Sequence, residues 1–328
     1  MIYIESAITD PAFNLAMEEY LFDRMDRAHS YFMLWQNDNT VVVGKHQNTA
    51  REVDAAYVKE KNIHVVRRLS GGGAVYHDLG NLNFTIIQDA QASGRLDFAC
   101  FTAPLVAALK GLGVNAVAGG RNDVTVEGAK FSGNAQYVRE GRVMHHGTIM
   151  VDSDLSVLGR VLQVSQDKFK DKAVQSVRAR VTNLAPFLSG AGVAEVKAAL
   201  LAQMDAENGL QQGALTQADM DSIRDIAKSR YDCWDWNWGK SPAFEVEKKR
   251  RFDGVGTVQV CMTLAKGRIT SFQSYGDYFG EGATPQLGEL LSGCPAEADA
   301  LRGALAGLDI GRLFHNLTLE DFIRLIVE

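Results

Sequence analysis

Residues 123–151 read DVTVEGAKFSGNAQYVREGRVMHHGTIMV, and their reading decides the fold class. Apolar and β-branched residues recur with the two-residue period of a half-buried strand. Glu127-Gly128 and Glu140-Gly141 interrupt the pattern as hairpin signals. The stretch from Val117 to Val151 is therefore expected to be mostly β. Working outward, YFMLWQ and TVVVG read as strands around a turn at Asn37-Asp38-Asn39, and IHVVRRL, AVYHD and NFTIIQD as further strands. Asp10-Pro11 reads as an N-cap and first-turn proline for a helix to about Met25. DAAYVKEKN, FTAPLVAALKGLG (ending at Gly111 or Gly113) and residues 192–230, with a cap at Thr216, complete the helices. Helices and strands mix without strict βαβ alternation, so the fold class is α+β.

CWDWNWGKSP puts Trp234, Trp236 and Trp238 on one face of an extended segment, suited either to packing between domains or to an edge strand. After Pro242 the pattern restarts. AFEVEKKRRFDG, GTVQVCMTLAKG and RITSFQSYG read as a three-stranded meander, and residues 284–328 as helices. The expected organisation is a large domain over residues 1–242 and a small α+β domain over 243–328, with WDWNWGKSP as the hinge.

Hydrophobic residues make up 46% of the 328, enough for a large core, and no apolar run is long enough for a membrane span. A net charge of −6 argues against broad nucleic-acid binding. The N-terminus lacks the pattern of a secretory signal. Cys100, Cys233, Cys261 and Cys294 are too widely spaced for a zinc or disulfide framework, which points to a reducing, cytoplasmic setting.

Three constellations can carry chemistry. RRLSGGGAVYHD, residues 67–78, joins Arg67 and Arg68 to Gly71, Gly72 and Gly73. Bare backbone admits a ligand, successive amides can cradle an anion, and a guanidinium can grip phosphate or carboxylate. The same run also suits an ordinary turn. It is neither a Walker A loop nor a dinucleotide fingerprint. GGRNDVTVEGAKFSGNAQ, residues 119–136, sets Lys130 among small residues, with Asp123 able to hold magnesium, orient a ribose or the lysine, or cap a turn. In HHGTIMV the two histidines of one strand point to opposite faces, which disfavours a metal site.

Together these segments resemble the lipoate–protein ligase family. The matching pieces are NLAMEEYLF, VVVGKHQN, RRLSGGGAVYHDLGNLNFT, GRNDVTVEGAKFSGNAQ, HHGTIMV and VRARVTNL, in family order from about residue 14 to 184. The resemblance implies a mixed-sheet catalytic core similar to that of biotin ligases, with the small C-terminal domain as accessory. It implies that lipoate or octanoate reacts with ATP and Mg²⁺, a co-substrate pair, to an acyl-adenylate and pyrophosphate, with no tightly bound prosthetic group. The acyl group then passes to a lysine on an acceptor domain of 2-oxoacid dehydrogenase E2 subunits or the glycine cleavage H protein. By the family pattern Lys130 contacts the acyl carbonyl and the α-phosphate, so it serves lipoate, ATP and catalysis alike. Arg68, Gly73, Ala74, Val75 and Tyr76 line the nucleotide site, Asp123 holds the lysine or the magnesium, and His77, Asp78 and His146 shape the site. The early helix and the VVVG strand wall the acyl chain.

Two rivals remain open. An octanoyl or lipoyl transferase of the same superfamily could carry the acyl group on a cysteine, and Cys100 is the one cysteine inside the matched core. A non-catalytic lipoyl or nucleotide carrier has less need of Lys130. The loop 67–78 departs from the biotin-ligase pattern.

Overall fold

The computed structural model describes residues 1–90, 97–119, 122–162, 181–239, 246–281 and 284–327. Gly120, Arg121, the 177–180 part of VRARVTNL, the linker residues 240–242 and the start of the meander at 243–245 lie outside them. The chain forms two compact units. The first comprises residues 1–43, 49–69 and 74–237; the second gathers residues 44–48 and 70–73 with the chain from 238 onward.

The strands of the first unit are β1 (Ile2–Glu5), β2 (Tyr31–Trp35), β3 (Thr40–Val43), β4 (His64–Arg67), β5 (Val75–His77), β6 (Asn81–Asp89), β7 (Ala116–Gly119), β8 (Asp123–Val126), β9 (Ala129–Arg139), β10 (Arg142–Met150) and β11 (Gln211–Gln212). Among the described residues they form a mixed sheet in the order β11-β1-β2-β6-β10-β9-β8-β7 and a smaller sheet β4-β3-β5. Both expected hairpins form. Glu127 and Gly128 have φ of 50° and 81°, and Glu140 and Gly141 have 51° and 73°, the backbone that matches a tight turn to the twist of its strands.

The large sheet has a core on each face. On one, Phe84 and Ile86 pack with Phe101, Leu105 and Leu200 from helices Ala99–Gly111 and Val193–Asn208. On the other, Ile87 and Met144 pack with Leu15 and Met17 of helix Pro11–Asp23 and with Val42 and Val66 of the small sheet. That helix starts as read: Asp10 accepts from the Phe13 amide at 2.9 Å and Pro11 opens the first turn.

The tryptophan segment differs from its reading. Ala227–Tyr231 makes a π-helical turn and Trp234–Asn237 a helical one, so no extended face of tryptophans exists there. The cause is a distant partner. Arg67 Nε donates to Trp236 O at 2.8 Å, Trp236 Nε1 donates to Arg67 O at 2.8 Å, and Asn237 Oδ1 accepts from the Arg67 amide at 2.9 Å.

The second unit holds β12 (Val246–Phe252), β13 (Gly256–Ala265) and β14 (Arg268–Gly276), the expected meander, covered by helices Thr284–Leu291, Ala298–Ala304 and Leu319–Val327. Val260, Phe272, Leu287, Phe314 and Phe322 form its core. The glycine loop joins it by close backbone approach. A Cβ on Gly71 would lie 2.3 Å from Tyr278 O, and the His46 ring stacks on Tyr278 at 4.7 Å. Among the described residues no helix is long and apolar enough to cross a membrane.

The helix Gln217–Ile226 begins with a reciprocal cap: Thr216 Oγ1 accepts from the Asp219 amide at 3.2 Å and the Thr216 amide donates to Asp219 Oδ2 at 2.7 Å. Thr216→Ala is expected to lower stability by about 1 kcal/mol in urea unfolding; an unchanged midpoint would show that the cap is not formed.

Candidate active site

The site grows out of the alternation of β6. Leu82, Phe84 and Ile86 point into one core, while Asn81, Asn83 and Thr85 point to the other face and are all buried. Buried polar side chains need partners, and they dictate what surrounds them. Thr85 Oγ1 accepts from Trp35 Nε1 at 2.9 Å and donates to Glu18 Oε1 at 2.5 Å. His146 Nδ1 lies 2.9 and 3.1 Å from the Glu18 oxygens. Asn81 Nδ2 donates to Asn83 Oδ1 at 2.8 Å. Asn37 Nδ2 lies 3.2 Å from His77 Nδ1, whereas His77 Nε2 is buried without a hydrogen-bond partner.

Pairing register carries this polar face toward Lys130. Trp35 sits opposite Asn83, and Asn83 opposite Thr148. Thr148 Oγ1 accepts from the Gly133 amide at 3.2 Å. Lys130 lies against the bare face of Gly133, where a Cβ would meet its Cε and Nζ at 3.1 Å. This row crosses four strands, about 14 Å at the usual strand spacing. At its end Lys130 Nζ is 2.7 Å from Asp123 Oδ1, both side chains partly open to solvent. The β8–β9 hairpin thus brings together the lysine and the carboxylate picked out in the sequence, and the reading of Asp123 as a partner of the lysine has its geometry here.

The two arginines divide. Arg67 is spent on the chain: its Nη2 donates to Thr49 Oγ1 at 2.6 Å, beside the bonds to Trp236 and Asn237. Arg68 is also buried, with Nη1 donating to Val42 O at 3.2 Å. Burial pulls its guanidinium down to about 10, against the Glu18 carboxylate that favours the charge, so it remains a cation at neutral pH.

The side chains of residues 74–76 do not all face one way. Gly73 belongs to the second unit, Ala74 is half-buried, Val75 packs into the core that contains Trp35, and Tyr76 points the other way, donating to Asn39 Oδ1 at 3.1 Å. Strand alternation is the cause, and it brings His77, not Tyr76, to the Val75 side, edge-on to Trp35. The amide of Gly72 donates to Tyr278 O at 3.4 Å, so it is not presented to an anion. Asp78 is a turn residue: its Oδ1 accepts from the Gly80 amide and its Oδ2 from the Asp154 amide.

Two family models match the chain. Residues 10–205 match the lipoyl protein ligase A/B catalytic domain, and residues 241–326 match the bacterial lipoate protein ligase C-terminus. The chain belongs to the lipoate–protein ligase family. It is therefore an enzyme of the ligase class. It is 40% identical to lipoate-protein ligase LplJ of Bacillus subtilis, over 99% of this chain and 100% of that one. It is likewise 40% identical to lipoate–protein ligase 1 of Staphylococcus aureus, over 97% of each. Among solved structures, P. falciparum LipL1 in complex with lipoate matches in fold with a TM-score of 0.80, covering 99% of this chain and 98% of that one at 22% identity. A lipoate-protein ligase A bound with ATP matches 73% of this chain and 97% of that one, with a TM-score of 0.63 and 26% identity.

Glu18, Trp35 and Thr85 were not singled out by the sequence reading. The usable signal was the adjacent carboxylates Glu18 and Glu19 among the apolar residues of NLAMEEYLF, which burial forces to find partners.

Burial, with the charges of Arg68 and His146, pushes His77 down to about 3, and burial holds His145 well below the ordinary histidine range. Both stay neutral in the folded chain, while the unfolded chain takes up their protons as pH falls below about 6.5. Stability is thus complete above that pH and is lost as pH falls toward 3, by up to about 1.4 kcal/mol per pH unit for each histidine. Between pH 6.5 and 5, urea unfolding of His77→Gln is expected to lose stability with a shallower slope than that of the native chain. An unchanged slope would mean that His77 titrates normally in the folded chain.

Proposed function

We propose that the enzyme activates lipoate with ATP and passes the lipoyl group to a lysine of an acceptor domain. The observation that carries this reading is the buried polar row that ends on the Lys130–Asp123 pair. In this reading the acyl chain lies along the apolar face shared by Trp35, Met17 and Val42, with its carboxylate toward Lys130.

A carboxylate oxygen attacks the α-phosphorus of ATP, the bond to pyrophosphate breaks, and lipoyl-AMP forms. Two anions must meet in this step, and fixed positive charge offsets their repulsion without reorganisation. Lys130 lies between acyl carbonyl and α-phosphate and neutralises both, with Asp123 aiming it. Arg68 supplies a second, buried cation toward the nucleotide, and the backbone of residues 74–76 lines its path. In the second step the acceptor amine attacks the acyl carbonyl and AMP leaves with the oxygen that the carboxylate contributed. Positioning of amine against anhydride supplies the rate. The acceptors are lipoyl domains of 2-oxoacid dehydrogenase E2 subunits and the glycine cleavage H protein. One related structure is described as an archaeal bipartite lipoate protein ligase and its E2 lipoyl domain, at 29% identity over 75% of this chain.

Magnesium accompanies ATP in this chemistry, but the residues do not build a cage for it. Among the described residues no group of three or more His, Cys, Asp or Glu could hold a metal, and Asp123 is already paired with Lys130. Such an ion keeps its waters and phosphate ligands, and no step is assigned to it. Among the described residues the four cysteines form no disulfide, which fits a reducing compartment, and we place the reaction in the cytoplasm.

A cysteine-borne acyl intermediate is disfavoured by Cys100 itself. Although the residue is exposed, desolvation of its thiol and the neighbouring Asp97 carboxylate push it up to about 11, away from the thiolate a nucleophile needs.

Lipoate-dependent exchange of pyrophosphate into ATP tests the reading. Lys130→Ala is expected to lose at least about a hundredfold in exchange rate while remaining folded, the scale of removing one preorganised charge. Cys100→Ser is expected to exchange at the native rate. Full exchange in the lysine variant, or loss of it in the cysteine variant, would move the chemistry elsewhere.

A further inference from the structure

The Lys130–Asp123 pair is partly exposed and sits on a hairpin whose register shifts between Val124 and Thr125. Exposed ion pairs hold their geometry poorly by themselves. Behind this one lies a buried brace. Asn134, 3% exposed, holds Asn122 by three bonds: its amide and its Nδ2 both donate to the main-chain Asn122 O, at 2.9 and 3.2 Å, and its own carbonyl accepts from the side-chain Asn122 Nδ2 at 2.7 Å. Asn134 Nδ2 also reaches Ser132 Oγ at 3.2 Å. Asn122 is the residue before Asp123.

The orientation of the Asn134 amide is set by His145. Gln136 Nε2 lies 3.0 Å from His145 Nδ1 and 2.7 Å from Asp97 O, so it donates to both. His145 therefore accepts at Nδ1 and carries its proton on Nε2, 3.1 Å from Asn134 Oδ1. The ring is fully buried, stacked on Phe101 at 4.7 Å and against Phe84 at 5.7 Å, so its environment keeps it neutral and in one tautomer. Gly147 faces Asn134 across the strands, and a Cβ there would fall 2.2 Å from Asn134 Oδ1 and 2.5 Å from the Phe84 ring. The bare position leaves the amide its place.

We infer that Asn134, oriented by His145, is a positioning residue for the Lys130–Asp123 pair. It fixes the main chain at Asn122 and, through it, the carboxylate that aims the lysine. The inference rests on Lys130 being the activating residue.

The test is a double-mutant cycle on lipoate-dependent ATP–pyrophosphate exchange, with thermal unfolding alongside. Asn134→Ala is expected to lower kcat about tenfold or more, with KM for ATP moving by less than about threefold, because aim and not binding is lost. On an Asp123→Ala background the same change is expected to cost nothing further, since residues acting through one another are not additive. Asn122→Ala removes one bond of the clamp at a half-buried position without opening the core, and serves if Asn134→Ala does not fold; its kcat loss of about threefold or more should likewise vanish on the Asp123→Ala background. Native kcat in both single variants, or losses that multiply in the double variants, overturns the brace. Absence of exchange in the native protein overturns the functional reading, and the brace with it. Exchange that depends on Lys130 but not on Asn134 or Asn122 overturns the brace alone.

Discussion

The pairing register of β6, β10 and β9 is the constraint on which the rest of the site depends. Strand side chains alternate with a period of two, so a slip of one residue would exchange Asn83 and Thr85 for Phe84 and Ile86 and turn the site face into core. Polar contacts on both sides of the sheet hold the register. His146 meets Glu18 on one face, and His145 meets Asn134 and Gln136 on the other. The two hairpin turns set the offset between β8, β9 and β10. With that register in place, Lys130 arrives at the end of a polar row that begins at Trp35.

Much of this arrangement could be read locally. The hairpins at Glu127-Gly128 and Glu140-Gly141, the caps at Asp10 and Thr216, and the meander of the second unit depend on a few neighbouring residues, and they form as expected. The opposite directions of His145 and His146 followed from strand geometry alone. What could not be read was decided by distant partners. CWDWNWGKSP alternates like a strand, but Arg67, about 170 positions earlier, draws Trp236 and Asn237 into a helical turn. The three glycines read either as an anion cradle or as an ordinary turn, and Gly71 and Gly72 meet the backbone at Tyr278. Nothing in NLAMEEYLF foretells the partners of Glu18, because Thr85 and His146 come from strands far along the chain.

The electrostatics separate two tasks. Arg68 is a deeply buried cation whose neighbours are fixed, while Lys130 is a partly open one whose aim depends on a hairpin. An open ammonium can follow the charge as it moves from carboxylate to phosphate. In the proposed reaction their different burial divides holding the nucleotide from assisting the attack.

The central claim is that a lipoate carboxylate attacks the α-phosphorus of ATP beside Lys130. The direct measurement is to supply lipoate labelled with heavy oxygen in its carboxylate, let the native enzyme transfer it to a lipoyl acceptor domain, and weigh the nucleotide product by mass spectrometry. The account predicts one heavy oxygen in AMP, carried over from the broken anhydride. Unlabelled AMP, with the heavy oxygen in another product, would contradict it.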